Sequence, residues 1–121
     1  MRGINLSETK EYYSDDDKSA IKTKWTYGAI DSEIYSMLGD GSRNPIRIAF
    51  DAVRFGLKNF ENFKDAQGNE VAFSTISITI GTTTYKIVSP NIMKIIPPQL
   101  INDLGEEILK MSRLNEEEIK N

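Results

Sequence analysis

Residues 71–88 read VAFSTISITIGTTTYKIV, and their period of two decides the fold class. Ile76, Ile78 and Ile80 alternate with Ser77 and Thr79, Gly81-Thr82-Thr83 interrupts, and Tyr85-Lys86-Ile87-Val88 resumes in β-rich composition. Such alternation around a short glycine-bearing break predicts a hairpin around 71–88. Before it, the turn cluster Lys64 to Asn69 (KDAQGN) lies between Phe60 and Phe63 on one side and Phe73 on the other, and is expected to reverse the chain.

Upstream of that turn the period changes. Ile46, Phe50, Val53, Leu57 and Phe60 follow at three- and four-residue steps, which predicts an amphipathic helix over about 45–60. Asn44 suits its N-cap and Pro45 its first turn, where a missing N–H costs nothing. Arg47, Asp51 and Arg54 fall on the opposite side, spaced for weak i,i+4 and i,i+3 ion pairs. Downstream, a short apolar piece from Ile92 to Ile96 stops at Pro97-Pro98. A second helix is expected over about 98–113, with Ile101, Leu104, Ile108 and Met111 as its stripe, Leu100 adjacent, and Glu106, Glu107 and Lys110 on the wet side. Asn115 and Glu118 have the spacing of a capping box in an acidic C-terminal end.

Toward the N-terminus, Ile21, Thr23, Trp25 and Tyr27 share one face of an expected strand near 21–27, with lysines and threonine on the other. Gly28 ends it. Asp31 then caps a short helix containing Ile34, Met37 and Leu38, which Gly39 closes. Residues 7–19 (SETKEYYSDDDKS) show no stripe and read as a mobile arm or long loop. The expected architecture is α+β: one domain over 1–121, a small antiparallel sheet, two main helices and one or two minor ones.

Composition narrows the chemistry. The 121 residues include no histidine and no cysteine and carry a formal charge of -3. Without histidine or a thiol, the usual base and partner nucleophile of a catalytic triad are missing, and a non-enzymatic role is expected. A net-negative chain does not suit a counterion-releasing grip on nucleic acid, which is not expected as a partner. The longest apolar runs are far short of the roughly 20 residues that cross a bilayer, and the N-terminus turns polar too early for a secretory signal, so neither membrane nor export is expected. Zero cysteine fits a reducing compartment.

No cofactor and no metal are expected. Asp65-Ala66-Gln67-Gly68-Asn69-Glu70 offers oxygens at alternate positions, but its glycine is fourth rather than sixth and no glutamate stands twelfth, so a turn is the better reading than a calcium loop. Gly39-Asp40-Gly41-Ser42 lacks the lysine and spacing of a P-loop. Candidate partner-binding residues remain. Asp15, Asp16 and Asp17 form an acidic run that is either solvated surface or a contact site. Trp25, Tyr27, Phe60 and Phe63 are large aromatic residues that either fill the core or anchor a partner.

Three stretches resemble a group of small proteins encoded by tailed bacteriophages: Trp25 to Ser32 (WTYGAIDS), Phe50 to Phe73 (FDAVRFGLKNFENFKDAQGNEVAF) and Ile96 to Asn121 (IPPQLINDLGEEILKMSRLNEEEIKN). The shared features are a helix ending in a Val-Arg-x-Gly-Leu phrase, an aromatic and Asp-x-x-Gly-Asn turn, then Pro-Pro and an acidic-ended helix. They are similar to phage morphogenesis proteins, tail assembly chaperones first among them. The resemblance implies a protein of the host bacterial cytoplasm that binds an aggregation-prone tail component, chiefly the tape measure protein, and keeps tail tube subunits competent. Two other roles stay open: a minor structural protein of the head-tail connector or tail, found in the virion, and a small inhibitor of a host defence enzyme. Expected partners are therefore phage tail or connector proteins, with a second copy of the chain also open.

Overall fold

The computed structural model describes residues 1–41 and 44–113. The capping box at Asn115 and Glu118 and the acidic C-terminal end lie outside the described residues. In chain order the elements are β1 (Thr9–Tyr12), β2 (Lys24–Gly28), α1 (Ser32–Leu38), α2 (Pro45–Gly56), β3 (Leu57–Glu61), β4 (Thr75–Ile80), β5 (Thr83–Val88), α3 (Pro90–Met93) and α4 (Pro98–Ser112). The fold is α+β, with small antiparallel sheets packed, among the described residues, with four helices, two of them main ones. One three-stranded sheet has the order β1-β2-β3, and β4 and β5 form a separate hairpin.

Local chemistry accounts for the helix starts. The Asp31 carboxylate accepts the Ile34 amide at 2.8 Å, and the Asn44 side chain accepts the Arg47 amide at 2.9 Å, with Pro45 following in the first turn. Each fills one of the orphan N–H groups of a helix start, an interaction worth about 1 kcal/mol. α4 has no side-chain cap, and Pro98 occupies its first turn, where the missing N–H costs nothing.

The expected helix over 45–60 is too long. α2 ends at Gly56, and Leu57 and Phe60 belong to β3, paired antiparallel with β2. Both residues are nevertheless buried, because strand β3 turns Leu57 and Phe60 toward the same core that α2 covers. A register shift between Thr26 and Tyr27 pairs Tyr27 with Leu57 and Trp25 with Phe60. The strand near 21–27 begins later, at Lys24: Thr23, Trp25 and Tyr27 are buried as the alternation requires, whereas Ile21 is 70% exposed. Within the stretch read as an arm, Thr9–Tyr12 forms the edge strand β1, with Tyr12 opposite Trp25. Its sequence, Thr-Lys-Glu-Tyr, gives no apolar alternation because an edge strand exposed on its faces is held by backbone pairing, not by burial.

The helices and both sheets share one buried cluster in which Ala52, Val53, Leu104 and Ile108 have no exposed surface. α2 and α4 cross at small residues. A Cβ placed on Gly105 would lie 2.8 Å from the Cα and carbonyl oxygen of Ala49, and one on Gly56 would lie 2.6 Å from Ile108 Cγ2. The expected consequence is that Gly105→Ala destabilises the protein, because the added methyl meets backbone and overpacking costs roughly 1–3 kcal/mol before any gain in helix propensity. The improved helix propensity, about 1 kcal/mol at most, does not reverse the sign. Urea unfolding should show a lower midpoint at unchanged slope; an equal or higher midpoint would mean that the helices separate at no cost.

Candidate functional site

The largest aromatic cluster of the fold forms where β2 meets β3. Trp25 packs on Phe60 with centroids 5.6 Å apart and on Phe63 at 5.0 Å, and Phe60 meets Phe63 at 5.1 Å and Phe73 at 5.2 Å, mostly edge to face. In a regular strand, residues three apart point to opposite faces. Phe60 and Phe63 converge because Asn62, between them, takes a left-handed conformation with φ 64°. Asparagine tolerates that region far better than a β-branched residue. The Thr23 hydroxyl donates to the Asn62 carbonyl at 2.8 Å and fixes the bend against β2.

Above Trp25 and Phe63 lies a cleft of about 530 Å³. Its walls are the β1–β2 connection, the 62–64 bend and the start of α4, contributing Asp16, Asp17, Ile21 and Leu100 among others. The connection is internally braced. Asp17 accepts the Ser19 amide at 3.0 Å through one carboxylate oxygen and the Thr23 amide at 2.8 Å through the other, while the Asp17 amide donates to the Ser14 carbonyl at 3.2 Å. Hydrogen bonds from Ser19 and then Thr23 hold the Asp17 carboxyl below the usual carboxylate range.

The cleft brings together four of the seven residues picked from the sequence: Asp16, Asp17, Trp25 and Phe63. Asp15 stays on the exposed outer side of the loop, its carbonyl accepting from Lys18 Nζ at 3.0 Å. Phe60 is buried behind the floor and acts as its support. Tyr27 is core, its hydroxyl 3.5 Å from Glu107 on α4; burial first, then Glu107, raises its pKa. Ile21 and Leu100 were not singled out. Ile21 was assigned to the buried face of the strand, whereas here the Asp17-braced turn ends only at Thr23 and leaves Ile21 outside it. A wider, shallower depression of about 640 Å³ runs along Met1 to Ile4, without an aromatic floor of this kind.

In the 64–70 turn one Asp65 carboxylate oxygen accepts the Gln67 and Asn69 amides, both at 2.9 Å, so it serves the chain reversal. Among the described residues no three acidic side chains are placed to share a metal ion. No helix there is long and apolar enough to cross a membrane.

Fold and cleft together define an α+β protein with a concave surface over buried aromatic residues, whose rim carries Asp16, Lys64 and the apolar Ile21. No family model, no curated protein and no solved structure matches the chain.

Two outcomes are expected from this geometry. Asn62→Val should cost about 1–2 kcal/mol in urea unfolding, the penalty of a left-handed non-glycine residue, while Asn62→Gly should be nearly neutral. For Asp17 the folded pKa lies below the unfolded value of 3.8. Its contribution is complete above that value and is lost as pH falls through the lower, folded one. Unfolding midpoints measured on descending from pH 5 should therefore drop less in Asp17→Ala than in the parent chain; equal drops would mean that Asp17 does not couple the loop to pH.

Proposed function

We propose that this chain is a non-enzymatic bacteriophage morphogenesis protein, a tail assembly chaperone that holds a tail component, and that the cleft over Trp25 and Phe63 is its client site. The observation that carries the binding reading is the concavity itself. The rings of Trp25 and Phe63, 2% and 8% exposed, lie just beneath its floor, and Ile21 stands 70% exposed on its rim. A monomeric surface gains nothing from such a side chain in water, but an apolar side chain inserted beside it removes both from solvent at about 25 cal/mol per Å².

Charge refines the client. Asp16 and Lys64 both lie exposed on the rim, so a client segment carrying polar or paired charges of both signs around its apolar anchor suits the cleft better than one of a single sign. Chemistry without histidine or cysteine has few routes to general-base or thiolate catalysis, which favours holding over turnover.

Support for the phage assignment comes from the three resembling stretches. Trp25 belongs to the first, Phe63 to the second and Leu100 to the third, and all three residues line the same cleft. A shared binding surface gives a physical reason for those stretches to go together, since each contributes one wall or the floor.

Trp25 is the only tryptophan, so its emission reports directly on the cleft. Titration with the tape measure protein encoded by the same phage should shift that emission, and co-expression should raise the client's soluble yield. Ile21→Lys, at a site the fold does not use, should weaken binding about tenfold, near 1.4 kcal/mol. Stoichiometric amounts of the chain in purified particles would overturn the chaperone reading. Client binding unaffected by Ile21→Lys would instead remove the cleft while leaving the chaperone role standing.

A further inference from the structure

We infer that the open edge of β4 pairs with the β4 edge of a second copy of this chain, joining the two hairpins into one four-stranded antiparallel sheet about a two-fold axis at Ser77. The inference goes beyond client binding and uses a different surface.

Three observations converge on that edge. Among the described residues β4 pairs only with β5, and Thr75, Ile76, Ser77 and Thr79 are exposed. Residues 71–85 contain no Asp, Glu, Lys or Arg and no proline. The other strands each carry charge: Lys10 and Glu11 in β1, Lys24 in β2, Lys58 and Glu61 in β3, Lys86 in β5. Charged residues and prolines are the devices by which sheet edges are kept from pairing, and β4 has none of them.

The phase of the hydrogen bonds is also right. Gly81, with φ 62°, opens the two-residue turn, so Ile80 and Thr83 flank it as the pair that exchanges hydrogen bonds. By the antiparallel alternation the N–H and C=O groups of Ile76 and Ile78 also point inward. The Ser89 amide, donating to the Ser74 carbonyl at 3.1 Å, continues the same phase. The backbone groups of Thr75, Ser77 and Thr79 therefore point to the open side.

Those residues are the odd positions of a palindrome, Thr75-Ile76-Ser77-Ile78-Thr79. An antiparallel pair centred on Ser77 sets Ser77 against Ser77 and Thr75 against Thr79 of the other copy, and every outward N–H and C=O of the three residues finds a partner. Ile76 then lies opposite Ile78 in a non-hydrogen-bonded pair, where side chains approach most closely. That covers Ile76, which is 42% exposed in the single chain. A two-fold interface has to be complementary to itself, and a palindrome on an uncharged, correctly phased edge meets that demand.

The absence of native cysteine makes the test clean. In Ser77→Cys the two Cα atoms would stand about 5.5 Å apart across the axis, within disulfide range. Thr84→Cys on β5 is too remote from its copy, since two intervening strands separate them at about 4.8 Å per step. Mild oxidation should give a covalent dimer from Ser77→Cys and none, or far less, from Thr84→Cys. Sedimentation of the unmodified chain should show a concentration-dependent dimer, and Ser77→Lys should move the equilibrium about tenfold or more toward monomer with unchanged far-ultraviolet circular dichroism. Monomer at every concentration up to the solubility limit would overturn the inference, as would equal crosslinking of the two cysteine variants. Should Ser77→Lys fail to fold, the cysteine pair decides.

Discussion

Contact between α2 and α4 at Ala49 and Gly105 sets the spacing of everything else. Helices usually pack 8–10 Å apart, and the near end of that range requires small residues at the crossing. Here the backbone of one helix fills the place where a Cβ would stand on the other. The close approach is what leaves Val53, Ala52, Leu104 and Ile108 without exposed surface. It also places the end of α4 against the exit of β2: the Ser112 hydroxyl donates to the Ile108 carbonyl at 2.7 Å and accepts the Ile30 amide at 2.9 Å. A buried serine with both functions used costs little, and it locks a helix to a strand exit.

From that helix pair the cleft follows by steps. α4 begins after Pro97, so its first turn, with Gln99 and Leu100, reaches the rim beside the 62–64 bend. β3 leaves α2 without an intervening loop and enters register with β2, bringing Phe60 behind Trp25. Asn62 then turns Phe63 back onto the same ring. The cleft is thus a by-product of how one helix ends and another starts, with only the Asp17-braced connection added as a wall.

Much of this was legible from the chain. Capping at Asp31 and Asn44, proline at the first turn of α2 and α4, and the hairpin break at Gly81 all act through neighbouring residues, and local chemistry is what a sequence displays directly. The end of α2 was not legible. Leu57 and Phe60 continue the three- and four-residue spacing of Ile46, Phe50 and Val53, and Gly56 precedes them with no proline to stop the helix. Pairing with β2, where Leu57 meets Tyr27 and Phe60 meets Trp25 from far back in the sequence, makes the choice. Asp51 was misjudged for the opposite reason. On a helical wheel it falls with Arg47 and Arg54 on the wet side, yet it is 3% exposed, with Arg54 at 3.0 Å and Arg47 at 3.3 Å. The long arginine side chains cover it, and a one-dimensional pattern does not register cover of that kind. Of the candidate site, the aromatic residues were visible as a class. Which of them face the cleft depends on the left-handed bend at Asn62, a single-residue event with no periodicity to betray it.

The two sheets manage their edges in opposite ways, and the reason lies in the same packing. β1 presents Lys10 and Glu11 outward, and Lys24 of β2 bridges to Glu11 and Glu61 across all three strands, so the first sheet is finished by charge. Burial is unequal in the hairpin. β5 is the strand that meets α2 and β3, and Ile87 and Val88 disappear into the core there. β4 is left as the outermost layer, with its isoleucine face only half covered by what β5 brings with it. A hairpin in that position meets the body chiefly through β5, with Ile78 and Ile80 of β4 only partly buried against the core, and two-stranded ribbons are marginal in water without a third strand or a covering layer. Cover from the body is complete for Ile87 and Val88 of β5 and only partial for Ile78 and Ile80 of β4. The uncharged, self-matching edge therefore sits where the hairpin has most to gain from a neighbour, while the open edge of the first sheet, on β1, carries Lys10 and Glu11.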